Sequence, residues 1–312
     1  MSVTTTRPAV ARGRLGSAGA WWDRHQRALA PYLFLTPFIV LFFVFFAYPV
    51  GYAFYLSLFR RYGFGGSAYV GLQNYATLVG DTRFLHALGN TTYYAAGSLF
   101  VLSPLALLLA LALNSDLLWM KGIYRLLFFV PYVTSAVVVA LMFTLVFDTT
   151  YGLLNSGLGL VHIPRIPWIE STAWSMPSII LLGIWTYVGI NALYFLAGLQ
   201  NVSKELVEAA RIDGATGVAV FWNIIVPQLR PIILFVAVGA IIGSYNLFSQ
   251  PYVLTGGGPE DSTLTLTLYL YIQGFQFFQF GYAAAIGYAI ALIIIVVSLV
   301  QLWALGAFRE EA

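Results

Sequence analysis

Residues 171–203 read STAWSMPSIILLGIWTYVGINALYFLAGLQNVS and contain no Asp, Glu, Lys or Arg. Because a charged side chain at mid-bilayer costs about 3 kcal/mol on insertion scales, a run of this length without charges predicts a transmembrane helix. Five more charge-free stretches are long enough to cross the roughly 30 Å hydrocarbon layer as helices. They are 28–59, 84–115, 126–147, 231–259 and 262–308. We therefore predict an all-α integral membrane protein with six transmembrane helices.

The composition excludes a soluble fold. Of the 312 residues, 60% are hydrophobic and only 9% are charged, with a mean hydropathy of +0.83. A soluble globule covers its surface with polar groups, and a disordered chain needs low hydrophobicity, so neither class fits. The net charge of +3 comes without a contiguous basic patch. We therefore predict the lipid bilayer, and no nucleic acid, as a partner.

The distribution of Lys and Arg predicts the orientation of the spans. Eleven of the 15 basic residues fall in the N-terminal segment and in the alternate loops on its side. By the positive-inside rule, both termini should then be cytoplasmic. We assign residues 1–30 to a cytoplasmic N-terminal tail and 31–312 to the six-helix domain, whose first helix should run from Pro31. In the last stretch, residues 262–280 are rich in Thr and Gln, so we place the true sixth span near 281–307.

No catalytic or metal site is predicted. The chain has no cysteine and three widely separated histidines, and its predicted spans contain no ionisable Asp, Glu, Lys or Arg. Ion-coupled carriers usually need such a group at the midplane, and intramembrane hydrolases need a nucleophile with its base or a metal motif. Energy for pumping should therefore come from another subunit, and we predict that the chain is not an enzyme.

The loop between the fourth and fifth spans, residues 201–229, has the pattern of two short helices. Ser203 is the predicted N-cap of the first, and Asp213-Gly214 is its predicted stop. The second helix should run to Pro227. It carries one apolar face that we expect to be buried against the bundle. The residues of that face are Val218, Phe221, Trp222 and Ile225.

This loop resembles the cytoplasmic signature of the inner-membrane permeases of binding-protein-dependent ABC importers. That signature is E-A-A, three residues, Gly, nine residues, then I-x-L-P. The chain has Glu208-Ala209-Ala210, Gly214, Ile224 and Pro227 at that spacing, with Val226 where Leu is usual. The resemblance extends from about residue 31 onward, through segments such as YLFLTPFIVLFFVFFAYPV (32–50) and FQFFQFGYAAA (275–285), and is to the sugar-permease branch.

The resemblance implies a type I ABC importer permease fold in the cytoplasmic (inner) membrane of a bacterium or archaeon. It implies four kinds of partner: a second homologous permease, two cytoplasmic ATPase subunits that bind the ATP, an extracytoplasmic solute-binding protein and a carbohydrate or sugar derivative. The loop would be the ATPase-coupling element. Its implied residues are Glu208, Ala209, Ala210, Gly214 and Pro227. A stand-alone facilitator or secondary carrier is the alternative function.

Polar and aromatic residues inside two spans are candidates for the substrate path. A sugar stripped of water needs hydrogen-bond partners for its hydroxyl groups and a flat aromatic face for its C–H surface. An alternative stays open, in which the Asn and Ser side chains simply bond neighbouring helices. The candidates are Trp185, Tyr187 and Asn191 in the fourth span and Ser244, Asn246 and Gln250 at the fifth.

Overall fold

A computed structural model describes residues 16–61, 63, 65–115 and 118–304 of the chain. The chain divides into two compact units, residues 1–55 and 56–312. The first unit contains helix α1 (Gly16–Phe42), a π-helical segment (Phe43–Ala47) and most of helix α2 (Tyr48–Ser57). Within this helical run, Ala30–Ser57 is long and apolar enough to span a membrane.

The predicted start of the first helix at Pro31 is wrong. Helix α1 begins at Gly16 among the described residues, so Pro31 and Pro37 lie inside it. The sequence from 16 to 30 contains several alanines and no proline, and alanine has the highest helix propensity. The helix therefore continues beyond the apolar segment that a membrane requires. Residues 1–15 of the predicted tail lie outside the described part.

In its described residues, the second unit consists of helices and their connecting loops with one short hairpin. Strands β1 and β2 pair antiparallel, with Phe59 opposite Tyr69 and Arg61 opposite Ser67. The elements in order are β1 (Phe59–Arg61), β2 (Ser67–Tyr69), α3 (Gln73–Gly80), α4 (Thr82–Gly97), a π segment (Ser98–Leu102), α5 (Ser103–Asn114), α6 (Lys121–Val133), α7 (Ala136–Val146), α8 (Leu153–Leu160), α9 (Ser175–Leu199), α10 (Lys204–Ile212), α11 (Gly217–Val220), a π segment (Phe221–Ile225), α12 (Val226–Tyr245), α13 (Ser249–Leu254), α14 (Leu266–Tyr271), a π segment (Ile272–Gln276) and α15 (Phe280–Ala304).

The predicted spans agree with the long apolar helices of the structure. In the described residues, five helices are long and apolar enough to cross a membrane, and a sixth span results if the bent pair α6–α7 is counted as one. The two helices of that pair meet at 98°, just after Pro131. The prediction of α15 near 281–307 is close to its observed range, Phe280–Ala304. Residues 263–268, before it, are packed against protein, since Leu264, Leu266 and Leu268 are almost fully buried.

Proline and π-helical geometry coincide in three of the membrane helices. Each of three π segments ends two residues before a proline: Pro49, Pro104 and Pro227. Proline cannot donate a backbone N–H to the carbonyl of the preceding turn, and its ring crowds that carbonyl. A π turn shifts the hydrogen-bond pattern locally, so the helix passes through the proline without ending.

Candidate functional site

A central cavity of about 280 Å³ lies among the helices of the second unit. Its wall comes from α4 with the following π segment, from α6, and from the two long helices α9 and α12. The wall combines tyrosines and short polar side chains with small residues that leave space. The lining includes Tyr94, Ser98, Leu102, Tyr132, Tyr187, Ile190, Asn191, Tyr194, Phe235, Val236, Gly239, Ala240, Gly243, Ser244 and Leu247.

Hydrogen bonds to their own helices orient the polar side chains of the wall. Nδ2 of Asn191 donates to the carbonyl of Tyr187 at 2.8 Å, and Oγ of Ser244 donates to the carbonyl of Ala240 at 2.6 Å. The ring of Tyr132 meets that of Tyr187 edge-on, with 6.2 Å between centroids. Polar groups thus alternate with aromatic surface, which is the combination that a polyhydroxylated ligand requires.

The structure brings three of the six substrate-path candidates together. Tyr187, Asn191 and Ser244 all line the cavity. Their contact with substrate stays a prediction.

The other three candidates do not line the cavity. Trp185 is 43% exposed and packs on Phe143, with 5.2 Å between ring centroids. Asn246 is exposed and donates to the carbonyl of Ile242 on its own helix. Gln250 is buried in α13, and its Oε1 has no hydrogen-bond partner among the described residues. Spans that are apolar on every side do not reveal which face is inward, so sequence could not separate these residues from the three that line the cavity.

Four lining residues that carry a hydroxyl group were not predicted from the sequence, namely Tyr94, Ser98, Tyr132 and Tyr194. One signal was present. Ser98 follows Tyr94 by four positions. In the fourth span, Asn191 follows Tyr187 by four positions and Tyr194 follows Asn191 by three. Residues at these spacings share one face of a helix. A search for such spacing within spans would have found three of the four residues.

The loop between α9 and α12 has the predicted first helix. Oγ of Ser203 accepts a hydrogen bond from the backbone N–H of Leu206 at 3.3 Å and caps α10. The helix ends at Ile212, and Gly214 follows with φ +82° while the N–H of Ala215 donates to the carbonyl of Ala210. A Cβ at Gly214 would meet nothing within 4 Å. Glycine is therefore favoured there by backbone conformation and not by space.

Two expectations about the second half of this loop are wrong. No separate helix ends at Pro227, because Gly217–Tyr245 is one continuous helical run with a π segment just before the proline. The expected burial of the apolar face fails for two of its four residues, since Val218 is 69% exposed and Trp222 is 62% exposed, whereas Phe221 and Ile225 are half-buried and Ile225 packs against the core. The helix that carries them continues directly into the fifth span, so its direction leaves the side chains of Val218 and Trp222 outside the chain's own core.

The exposed surface of the loop is both charged and apolar. Glu208 and Ala209 are exposed, Ala210 is half-buried, and all five charged residues from Lys204 to Asp213 are exposed. Leu206 and Ile212 are 55% and 86% exposed. Charged and large apolar side chains side by side on an exposed loop are typical of a surface that meets another protein.

The described residues contain no group of three or more His, Asp or Glu side chains that could hold a metal ion.

The architecture defines a class of protein: a multi-pass helical membrane protein with a cavity between its spans. The crystal structure of a bacterial alginate ABC transporter, in complex with an alginate pentasaccharide-bound periplasmic protein, contains a chain with the same fold. The TM-score is 0.78 at 24% identity, over 93% of this chain and 98% of that one. The type I permease fold is therefore confirmed.

Sequence comparison gives the family. Residues 102–309 match the model of the binding-protein-dependent transport system inner membrane component, and the chain belongs to this family. It is 42% identical to the arabinooligosaccharides transport system permease protein AraP of Bacillus subtilis over 93% of each chain. It is 36% identical to the lactose transport system permease protein LacF of Rhizobium radiobacter, over 75% of this chain and 79% of that one. The chain is a multi-pass transport permease and not an enzyme.

Proposed function

We propose that this chain forms half of the translocation path of an ATP-driven importer for a carbohydrate or sugar derivative. The observation that carries the proposal is the central cavity, in which α9 and α12 present Tyr187, Asn191 and Ser244 to one space. The names of the relatives support the substrate class, because both refer to transport of saccharides.

The chemistry of the cavity fits a desolvated sugar. A hydroxyl group both donates and accepts hydrogen bonds, so amide and hydroxyl side chains can pair with it in either sense. Tyrosine rings offer flat surface to the C–H face of a pyranose or furanose ring and still carry a polar group at the edge. Three polar or aromatic side chains do not encode a stereochemistry, so the proposal names a class of substrate and not one sugar.

The loop around α10 is the proposed contact with an ATPase subunit. Its exposed helix carries Glu208 for charge pairing, and Ala209 keeps one side of the helix narrow. Leu206 and Ile212 add apolar surface that a groove on a partner can cover. Gly214, with its positive φ, forms the turn between α10 and α11. In this proposal, ATP-driven movement of the ATPases is transmitted through α10 to the cavity.

Three further partners and a location complete the proposal. They are a second homologous permease that supplies the other half of the path, a second ATPase subunit, and an extracytoplasmic solute-binding protein that delivers the sugar. The alginate transporter complex contains a periplasmic protein with bound saccharide, which supports this arrangement by analogy. The location is the cytoplasmic membrane of a bacterium or archaeon, with both termini in the cytoplasm as the Lys and Arg distribution indicates.

The test is co-purification of the tagged, detergent-solubilised chain from its native host, with Gly214→Ala and Gly217→Ala as a matched pair. An added Cβ meets nothing within 4 Å at either glycine, but only Gly214 has a positive φ. Alanine in the left-handed region costs about 1–2 kcal/mol, so Gly214→Ala should distort the turn while Gly217→Ala keeps it.

We expect a second permease and an ATPase to co-purify with wild type and with Gly217→Ala, and the ATPase to be depleted with Gly214→Ala. Uptake into vesicles should require ATP. If the chain purifies without an ATPase and still moves sugar without ATP, the importer proposal is wrong and a stand-alone facilitator replaces it.

A further inference from the structure

Arg125 on α6 has no partner for its charge among the described residues. The side chain is half-buried, and its Nε is buried without a hydrogen-bond acceptor. Nη1 and Nη2 retain accessible surface, and no described residue accepts a hydrogen bond from their four N–H groups. A guanidinium is always charged, and holding it partly away from water without a counter-charge is unfavourable. The accessible Nη groups therefore indicate an anion that comes from outside the described part of the chain.

The helices that pack against α6 supply no counter-charge. Helix α6 contacts α9 and α5, and none of these three helices contains Asp or Glu. Lys121 lies one turn before Arg125 on the same face of α6 and adds a second positive charge. Asp116, in the loop before α6, lies outside the described residues. In the described part of the chain, this end of α6 is thus a positively charged surface.

Arg125 lies near the end of a membrane span, on the same side as the α10 loop. Helix α6 begins at Lys121, so Arg125 is about 6 Å along the helix axis from that end. Leu118, just before α6, packs against the same buried cluster as Val202 and Ile225, which lie on either side of α10 in the chain. The ends of spans lie close to the lipid headgroups, and long basic side chains extend toward them.

The residues next to Arg125 fit the two parts of a phospholipid. Trp119, just before α6, is 86% exposed, and tryptophan is enriched at the level of the headgroups. Leu126 and Leu127 follow Arg125 in the span and are each 60% exposed. An accessible guanidinium therefore lies between an aromatic residue suited to headgroups and apolar surface suited to an acyl chain.

A phosphodiester is the anion that best fits this surface. It has a permanent negative charge and no O–H group at neutral pH, and its two free oxygens match the paired N–H groups of a guanidinium. A neutral saccharide carries no charge to offset that of Arg125. The positive charge of Lys121 favours a lipid with net negative charge over a zwitterionic one.

We propose that Arg125, with Lys121, binds the phosphate of an anionic phospholipid in the leaflet on the α10 side. This site is separate from the central cavity and involves no sugar, so it goes beyond the proposed function. Phe129 and Tyr132 lie four and seven positions after Arg125 on the same face of α6, and Tyr132 lines the cavity. A bound lipid therefore anchors the base of a helix that forms part of the cavity wall.

Native mass spectrometry of the full-length chain in a neutral detergent tests this proposal, both for the chain alone and for the complex with the subunits that co-purify. The probes are dioleoylphosphatidylglycerol, the zwitterionic dioleoylphosphatidylcholine and inorganic phosphate. Arg125→Gln removes the charge, whereas Arg125→Lys keeps the charge and loses the paired donors. Arg165→Gln is the matched control, because Arg165 is an exposed arginine in the loop between α8 and α9.

We expect the wild-type chain to bind phosphatidylglycerol about tenfold more tightly than Arg125→Gln does, and more tightly than it binds phosphatidylcholine. Arg125→Lys should have an intermediate affinity, and Arg165→Gln should match wild type. Thermal unfolding of each variant shows whether its fold is intact, and Arg125→Lys retains the charge if Arg125→Gln does not fold.

Three results would overturn the proposal. One is equal affinity of wild type and the folded Arg125 variants for phosphatidylglycerol. Another is lipid binding by the chain alone but not by the complex, because Arg125 would then lie in a contact between subunits. The third is displacement of the lipid by millimolar inorganic phosphate, which would make the surface a site for a soluble anion.

Discussion

Arg83 and Asp261, 178 positions apart in the chain, form a bidentate ion pair in which Nε donates to Oδ2 and Nη2 to Oδ1, each at 2.8 Å. Asp261 has φ +58°, a left-handed conformation that is uncommon outside glycine. Its carbonyl oxygen also accepts a hydrogen bond from Nδ2 of Asn90 at 2.7 Å. Side chain and backbone of Asp261 are therefore both fixed to α4, and the turn before α14 is held against the start of the second span.

Asp261→Ala should destabilise the chain more than Asp261→Asn. Both variants lose the ion pair, which is partly exposed and worth about 1 kcal/mol at most. Asparagine tolerates the left-handed region, whereas alanine adds about 1–2 kcal/mol of backbone strain. Thermal unfolding in detergent should show this order, with a fall in apparent Tm of about 2–4 °C per kcal/mol. Equal Tm values for the two variants would contradict the role assigned to the backbone.

Asp81 should make stability depend on pH. Burial raises the pKa of this carboxyl group, but hydrogen bonds from Tyr269 and Tyr282 and from the N–H groups of Phe84 and Arg83 outweigh burial and hold the pKa below its ordinary value of 3.8. A carboxyl group whose pKa is lower in the folded state stabilises the fold above its unfolded pKa. That contribution is lost as the pH falls through the folded pKa.

The variant that tests this is Asp81→Asn. Its Oδ1 can still cap α4, but an NH₂ group then faces two phenol hydroxyls that had donated to Oδ2. We expect a loss of about 2 kcal/mol at pH 7 and a smaller loss near pH 3, because below the ordinary pKa of 3.8 the unfolded carboxyl group is protonated and the advantage of the wild-type charge shrinks. Unfolding midpoints measured from pH 7 to pH 3 check this. A constant difference across that range would show that the charge of Asp81 is not responsible.

Gly189 is required for the contact between α6 and α9. A Cβ at this position would clash with the carbonyl oxygen of Phe128, which is backbone and cannot move aside alone. Gly189→Ala should therefore separate the helices and cost about 3 kcal/mol. Gly239→Ala is the control, because a Cβ there meets nothing within 4 Å. Equal stability of the two variants in a thermal unfolding assay would contradict this packing.

Asn191 should affect substrate handling and not assembly. It lines the central cavity, whereas Asn246 is exposed and does not. We expect Asn191→Leu to raise the KM for sugar uptake about tenfold, the equivalent of one lost hydrogen bond of about 1.4 kcal/mol. Asn246→Leu should leave KM unchanged, and both variants should co-purify with the same partners as wild type. A larger effect at Asn246 would move the substrate path away from the cavity.

The sequence was sufficient for the spans but not for their faces. Charge-free runs located the membrane helices because burying a charge in lipid is so unfavourable that it leaves a plain trace in composition. A span that is apolar on every side has no comparable pattern that indicates which of its faces points inward. Tyr187 and Trp185 were therefore equally good candidates for the substrate path, although of the two only Tyr187 lines the cavity.

The bend angle of a helix and the exposure of its side chains could not be predicted from sequence where tertiary contacts determine them. The 98° bend follows Pro131, and a proline disfavours a straight helix without setting the angle of the bend. The caps of α10 were predictable from Ser203 and Gly214, because capping depends on a few adjacent residues. The exposure of Trp222 was not predictable, because it depends on the direction in which the helix enters the fifth span.

The π segment Ser98–Leu102 changes the phase of the second span. One residue beyond an α-helical turn rotates everything that follows by about 100° relative to an unbroken helix. Before the segment, Tyr94 faces the cavity, and after it, Ala106 and Ala110 pack in a core with Ala192 of α9. A single helical wheel drawn through 82–114 would superimpose these two faces incorrectly. The face that each half presents is therefore set separately, and the residues of each half can suit the helix that it packs against. A one-residue deletion within the segment would rotate one half away from the surface that it fits.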